Sequence, residues 1–222
     1  MNFLNRDPIE LLVSIPVILI CLVVHEVAHG FMAMKLGDPT AKSLGRLTFN
    51  PIKHLDPIGA LCMLLCGFGW AKPVPINSRY FKKPRRDIAL TALAGPVSNF
   101  IMAFIGVLLY CVCIAIFNAF PVFDGFGFNL WKAWFIFVET FIIMNLSLGV
   151  FNLIPSPPLD GSRIFLTFLP PKYYFGIMKY ERYIMIGVLA LLYTGLLTLP
   201  LSYIVQYMFR GMLFIVKLIP GL

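Results

Sequence analysis

Residues Ile9–Met34 read IELLVSIPVILICLVVHEVAHGFMAM. A helix crosses the hydrocarbon core of a bilayer with about 20 apolar residues, and this stretch is longer than that. It nevertheless carries His25, Glu26 and His29 in its last third. Strongly charged groups at the centre of a membrane helix cost about 2.5–3.5 kcal/mol each on insertion scales, so ionisable residues there mark function by default. The stretch is therefore read as a first membrane span with chemistry inside it. Pro16 is expected to kink it.

The rest of the chain follows the same pattern. Of its 222 residues, 59% are hydrophobic and 13% charged, whereas a soluble domain is nearer a quarter charged. The fold expected is an all-α membrane protein, a multi-pass helical bundle. Further spans are expected over Ile88–Phe120, Trp131–Ile154, Tyr183–Leu199 and Leu201–Ile219. Between the first two spans, Ile58–Trp70 is apolar but short, and it reads as a re-entrant hairpin. Gly67, Gly69, Pro73 and Pro75 suit a turn and extended chain there. One domain over 1–222 is expected, with a three-helix catalytic core over about 9–165 and extra C-terminal helices over about 183–219.

Charge orients the spans. The formal charge is +8, and ten Lys or Arg lie between residues 34 and 87, whereas loop 121–130 has Asp124 and no cation. By the positive-inside rule, segments 35–87 and 156–182 face the cytoplasm and the N-terminus faces outward. Basic residues between apolar spans, without interleaved aromatics, give no reason to expect nucleic acid as a partner; the lipid bilayer is the expected surroundings. Cys21, Cys62, Cys66, Cys111 and Cys113 are odd in number and lack zinc-ribbon or redox spacing, so they read as small packing residues. Arg6 alone before the first apolar run does not make a cleavable signal peptide.

Helix positions i and i+4 share a face. His25 and His29 can therefore bind one zinc ion, with Glu26 beside them to take a proton from a water that the metal activates. At about 1.5 Å per residue, His29 lies roughly 9 Å and His25 roughly 15 Å from Lys35, inside the hydrocarbon boundary. A catalytic zinc takes a third protein ligand and keeps an open position. Asp160 is the candidate, in Asn152-Leu153-Ile154-Pro155-Ser156-Pro157-Pro158-Leu159-Asp160-Gly161 at the cytoplasmic end of span three. On spacing alone it also fits an N-cap or turn residue.

His25-Glu26-Val27-Ala28-His29 with this downstream stretch resembles the site-2 protease family of intramembrane zinc metallopeptidases. Three other stretches carry the resemblance. They are Gly45-Arg46-Leu47-Thr48-Phe49-Asn50-Pro51 with His54, Asp56-Pro57 and Gly59; Gly69-Trp70-Ala71-Lys72-Pro73-Val74-Pro75; and Ala94-Gly95-Pro96 with Asn99. The resemblance implies that His25, His29 and Asp160 hold zinc, one per chain. It implies that Glu26 is the catalytic base and that Asn152 contacts the substrate backbone or steadies an oxyanion. No PDZ insert or CBS domain is expected.

The expected activity is zinc-assisted hydrolysis of peptide bonds in transmembrane or membrane-associated substrates, at a cell-membrane site facing the cytoplasm. The alternative is a zinc-binding membrane protein without hydrolytic activity, a substrate holder or metal carrier. Glu26 favours the protease, since a holder needs no base beside its ligands. Gly95 and Asn99 share a face and are read as close packing with an interhelical hydrogen bond. His54 is read as a loop-stabilising group. Lys72 and Glu139 receive no role, and oligomeric state is left open.

Overall fold

The computed structural model describes residues 8–57, 59, 71–121 and 124–219. Helix α1 covers Pro8–Lys35. It ends in a Schellman motif: Gly37, at φ 108°, donates to Met34 O, and Asp38 N donates to Ala33 O at 2.9 Å. Only glycine takes that left-handed conformation without strain. The turn delivers Asp38, fully buried, to a junction where its carboxylate accepts from Thr40 N at 2.9 Å, from the Thr40 hydroxyl, and from Asn77 N at 2.6 Å. Asp38 thus fastens the end of α1 to the extended segment 72–77. The short α2, Thr40–Ser43, follows it.

Helix α3 runs over Pro84–Ala119 and α4 over Gly125–Asn152. The expected span at Ile88 begins four residues earlier. Pro84 occupies the first turn, where its missing N–H costs nothing, and Asp87 Oδ2 reaches back to accept from Lys83 N at 2.9 Å. The loop expected over 121–130 is also shorter, because α4 is already helical at Gly125. Aromatic packing holds those turns: Trp131 lies 5.8 Å from Phe117, and Phe135 5.8 Å from Tyr110. Glycines at 125 and 127 hide this helix from a propensity reading.

After α4 come α5 (Asp160–Phe165), α6 (Pro171–Met178), α7 (Glu181–Tyr193) and α8 (Thr198–Lys217). The span expected over Tyr183–Leu199 is not formed. Its helix has 13 residues, about 20 Å of rise, against a hydrocarbon core of about 30 Å. Gly195, at φ 83°, turns the chain before α8 begins. Pro200 lies inside the first turn of α8 and starts that helix rather than breaking it. The described residues thus hold four helices long and apolar enough to cross a membrane: α1 from Leu12, α3, α4 and α8. The expected hairpin over Ile58–Trp70 lies almost wholly outside the described residues.

Among the described residues there is no strand, only an isolated antiparallel bridge between Leu55 and Ala71. Helices α1, α3 and α4 pack on one another, and α8 packs on α3 and α4. One core cluster joins Ala103, Val107, Val138, Ile142 and Leu146 to Val205 and Val216 of α8. A second joins Val17 and Cys21 of α1 to Phe141 of α4. Together they fix the depth at which polar groups of α1, α3 and α4 meet.

Burial works to raise the Asp38 carboxyl, but the hydrogen bonds from Thr40 and Asn77 outweigh it and hold it below the ordinary carboxylate range. A depressed carboxyl contributes stability above its unfolded value near 4 and loses it as pH falls through the folded value. Asp38→Ala, which strands buried donors, should cost about 2–4 kcal/mol. Thermal unfolding in detergent checks this at neutral pH, and the loss should shrink in acid.

Candidate metal centre

Helix α1 places His25 and His29 one turn apart on its buried face, 4% and 7% exposed. The turn after α4 brings Asp160, at the start of α5, against them. His25 Nε2 lies 3.1 Å and His29 Nε2 3.1 Å from Asp160 Oδ2, and the two Nε2 atoms are 3.0 Å apart. Zinc with ligands at 2.0–2.1 Å in tetrahedral array would set such atoms about 3.3 Å apart. The three residues are the one His, Cys, Asp or Glu grouping of metal-binding size among the described residues.

Hydrogen-bond direction tests whether a cation fits. His29 Nδ1 lies 2.7 Å from the Thr91 carbonyl, which can only accept. Nδ1 therefore carries the proton, and Nε2 presents a lone pair. His25 is set by a longer relay. The Phe141 carbonyl accepts from Asn145 Nδ2 at 2.9 Å, Asn145 Oδ1 accepts from Asn99 Nδ2 at 2.9 Å, and Asn99 Oδ1 faces His25 Nδ1 at 2.6 Å. A backbone acceptor at one end orients both amides, so His25 Nδ1 donates and its Nε2 is also a lone pair. Asp160 Oδ2 is buried without a hydrogen-bond partner. Two lone pairs and an anionic oxygen thus converge in a dry site, the donor set of a divalent cation.

Two glycines make the approach possible. A Cβ on Gly95 of α3 would lie 2.6 Å from His25 Cε1 and 2.5 Å from His29 Cε1. A Cβ on Gly161 would strike the carbonyls of Leu153 and Ile154, so Asp160 reaches the histidines only because the next residue lacks a side chain. The interhelical hydrogen bond expected of Asn99 lands on His25 itself. Asn145, fully buried, was missed by the sequence reading. Its signal was a carboxamide amid the apolar run Phe141–Leu148, the kind of residue that hydrogen-bonds across membrane helices.

Glu26 points elsewhere from the same turn. Its Oε2 accepts from Val74 N at 2.7 Å. The segment carrying Val74 is held by Arg46, whose Nη2 donates to Lys72 O at 2.9 Å and Pro73 O at 3.1 Å. Lys72 N also donates to His54 O at 2.8 Å. His54 is buried with Nε2 2.8 Å from Thr48 O, in keeping with its reading as a loop-stabilising group. Asn152 stands at the end of α4, and its Nδ2 donates to Leu148 O at 3.0 Å rather than toward Asp160. The Lys72 side chain is exposed, and Glu139 lies exposed in the middle of α4.

The chain is similar to proteins named as zinc metalloproteases. The profile of peptidase family M50 matches residues 13–193, a range that includes every residue of the centre. A Bacillus subtilis protein named "Putative zinc metalloprotease YwhC" is 45% identical over 189 residues, 82% of this chain and 82% of its own length. "Zinc metalloprotease MJ0392" of Methanocaldococcus jannaschii is 30% identical over 160 residues, 72% of this chain and 34% of its own. No solved structure matches the chain.

If the relay through Asn99 fixes the His25 tautomer, Asn99→Ala should weaken zinc binding about 10–100-fold, the usual cost of losing a group that orients a ligand. Gly95→Ala should do at least as much by displacing both imidazoles. Competition with a chelator of known affinity, read by metal analysis of the purified protein, checks both. Unchanged affinity in Asn99→Ala would remove the relay from the centre.

Proposed function

Because this chain belongs to peptidase family M50 and is a membrane zinc metalloendopeptidase of the site-2 protease type, we propose that it cuts transmembrane or membrane-associated substrates at His25, Glu26, His29 and Asp160. One zinc per chain would be held by His25 Nε2, His29 Nε2 and Asp160. The observation that carries this reading is the convergence of those three atoms with their lone pairs free, beside a carboxylate on the same turn of α1. A bound zinc supplies Lewis-acid activation of a water and of the scissile carbonyl.

The chain's own residues do the rest. Glu26 takes a proton from the attacking water and returns one to the leaving amine nitrogen. Val74 N–H holds Oε2 and leaves Oε1 for that transfer. Substrate must present an unwound stretch, since a helical carbonyl already engaged by its i+4 amide is poorly open to attack. Asn152 is the candidate for contact with the substrate backbone or oxyanion, and its amide must first leave Leu148 O. The domain is a single unit over 1–222, with its catalytic core over about 9–165. The site faces the cytoplasm of the cell membrane, supported by the ten Lys or Arg between residues 34 and 87.

A cleavage assay with a tail-tagged membrane substrate tests the chemistry. Glu26→Gln should keep zinc and fold yet lose cleavage by at least about 100-fold, since an amide cannot accept the proton. Val74→Pro removes the N–H that Glu26 accepts from, and Val74→Ala is the control for the lost side chain. Val74→Pro should lower kcat about 10-fold at unchanged KM, whereas Val74→Ala should not. Substantial turnover by Glu26→Gln sinks the proposed base.

Orientation is tested separately. Single cysteines at Ser78 and Gly125, in a chain lacking its native five, should label oppositely with an impermeant thiol reagent on intact cells. Gly125→Cys should react and Ser78→Cys should not; the reverse would move the site to the outer face.

A further inference from the structure

Helix α8 carries a polar stripe on the face it turns away from the bundle, beside the exposed apolar residues Ile204, Phe214 and Ile215. Leu201, Val205, Met208, Met212 and Val216 pack into the core along its length, so α8 stands in the membrane rather than lying on its surface. Tyr203, Gln206, Tyr207 and Arg210 fall at i, i+3, i+4 and i+7, a single stripe of the helix. All four are exposed, Tyr203 by 71% and Tyr207 by 82%. Helix α4 exposes Glu139 halfway along its span. Neither Glu139 nor Arg210 forms an ion pair among the described residues.

The two charges lie at similar depth. Tyr110 of α3 stacks edge-on against Phe135 of α4, and Val216, next to Lys217 at the end of α8, shares a core cluster with Cys111 of α3. Lys217 is therefore close to the level of Phe135. Arg210, about 10 Å back along α8, comes within about a turn of Glu139, a gap its flexible stem can bridge. An uncompensated acid and an uncompensated base exposed to lipid are each costly. A two-fold axis would neutralise both at once, because an isologous interface makes every contact twice.

We propose that the chain forms a two-fold dimer in the bilayer through the outer face of α8, with Arg210 paired to Glu139 of the partner subunit. Tyr203, Gln206 and Tyr207 supply hydrogen bonds and aromatic contact between the two α8 helices. A different protein would have to bring an acid and a base at matching positions, whereas this chain already carries both. The interface needs no catalytic assumption.

The full chain, labelled and reconstituted in lipid vesicles at low density, should bleach in two steps. In a chain lacking native cysteines, Tyr207→Cys should cross-link on oxidation and Ile105→Cys, exposed on α3, should not. Arg210→Glu and Glu139→Arg should each weaken association about tenfold, and the double exchange should restore it. A monomer in vesicles, equal cross-linking at both positions, or no recovery in the double exchange overturns the proposal. If the charge variants do not insert, the cross-linking with native charges decides alone.

Discussion

Two imidazole lone pairs and a carboxylate oxygen held about 3 Å apart in a dry place repel one another unless something positive stands between them. Much of the described structure serves that contact. Gly95 lets α3 approach α1 closely enough for the imidazoles to be enclosed, and Gly161 lets the chain after α4 fold back so that Asp160 reaches them. Thr91, Asn99 and Asn145 decide which ring nitrogen is bare. All three helices of the core contribute. Loosening any pair of them would open the centre rather than merely soften the bundle.

A second constraint acts on the segment around Val74. It makes no sheet among the described residues, so its place depends on separate ties: Arg46 to two carbonyls, the His54 carbonyl to Lys72, Asp38 to Asn77, and Glu26 to Val74. Gly30, in the turn after His29, leaves room for the Val74 side chain, since a Cβ there would lie 2.9 Å from Val74 Cγ1. Stretches separated by dozens of residues thus cooperate on one carboxylate. The loops between spans are part of the site's geometry and do more than link spans.

The residues proposed to carry the chemistry were the most legible in the sequence. His25, Glu26 and His29 stand out because ionisable groups are expensive in an apolar helix, and Asp160 stood out as an acid beyond a proline cluster at the matching depth. What was not legible depended on direction or on long-range contact. Asn145 looks like any buried carboxamide until its partner is seen, and the link from Glu26 to Val74 spans a separation no local pattern reports. Boundaries failed where punctuation is ambiguous. Pro200 served as a helix start, and apolarity from Tyr183 to Leu199 concealed a turn at Gly195, because hydropathy measures affinity for lipid and not continuity of helix.

One rule of membrane chemistry connects the centre with the outer surface. An ionisable group removed from water has to be neutralised, hydrogen-bonded or brought to the boundary. Asp38 and Asp87 are satisfied by backbone amides near the ends of their helices. Asp160 and the two histidines form a set that a cation would complete. Among the described residues, neither Glu139 nor Arg210 meets any of these conditions, and both lie away from the helix ends. Their opposite signs at similar depth make them each other's natural complement. No ion pair joins them among the described residues, and a second copy would satisfy both.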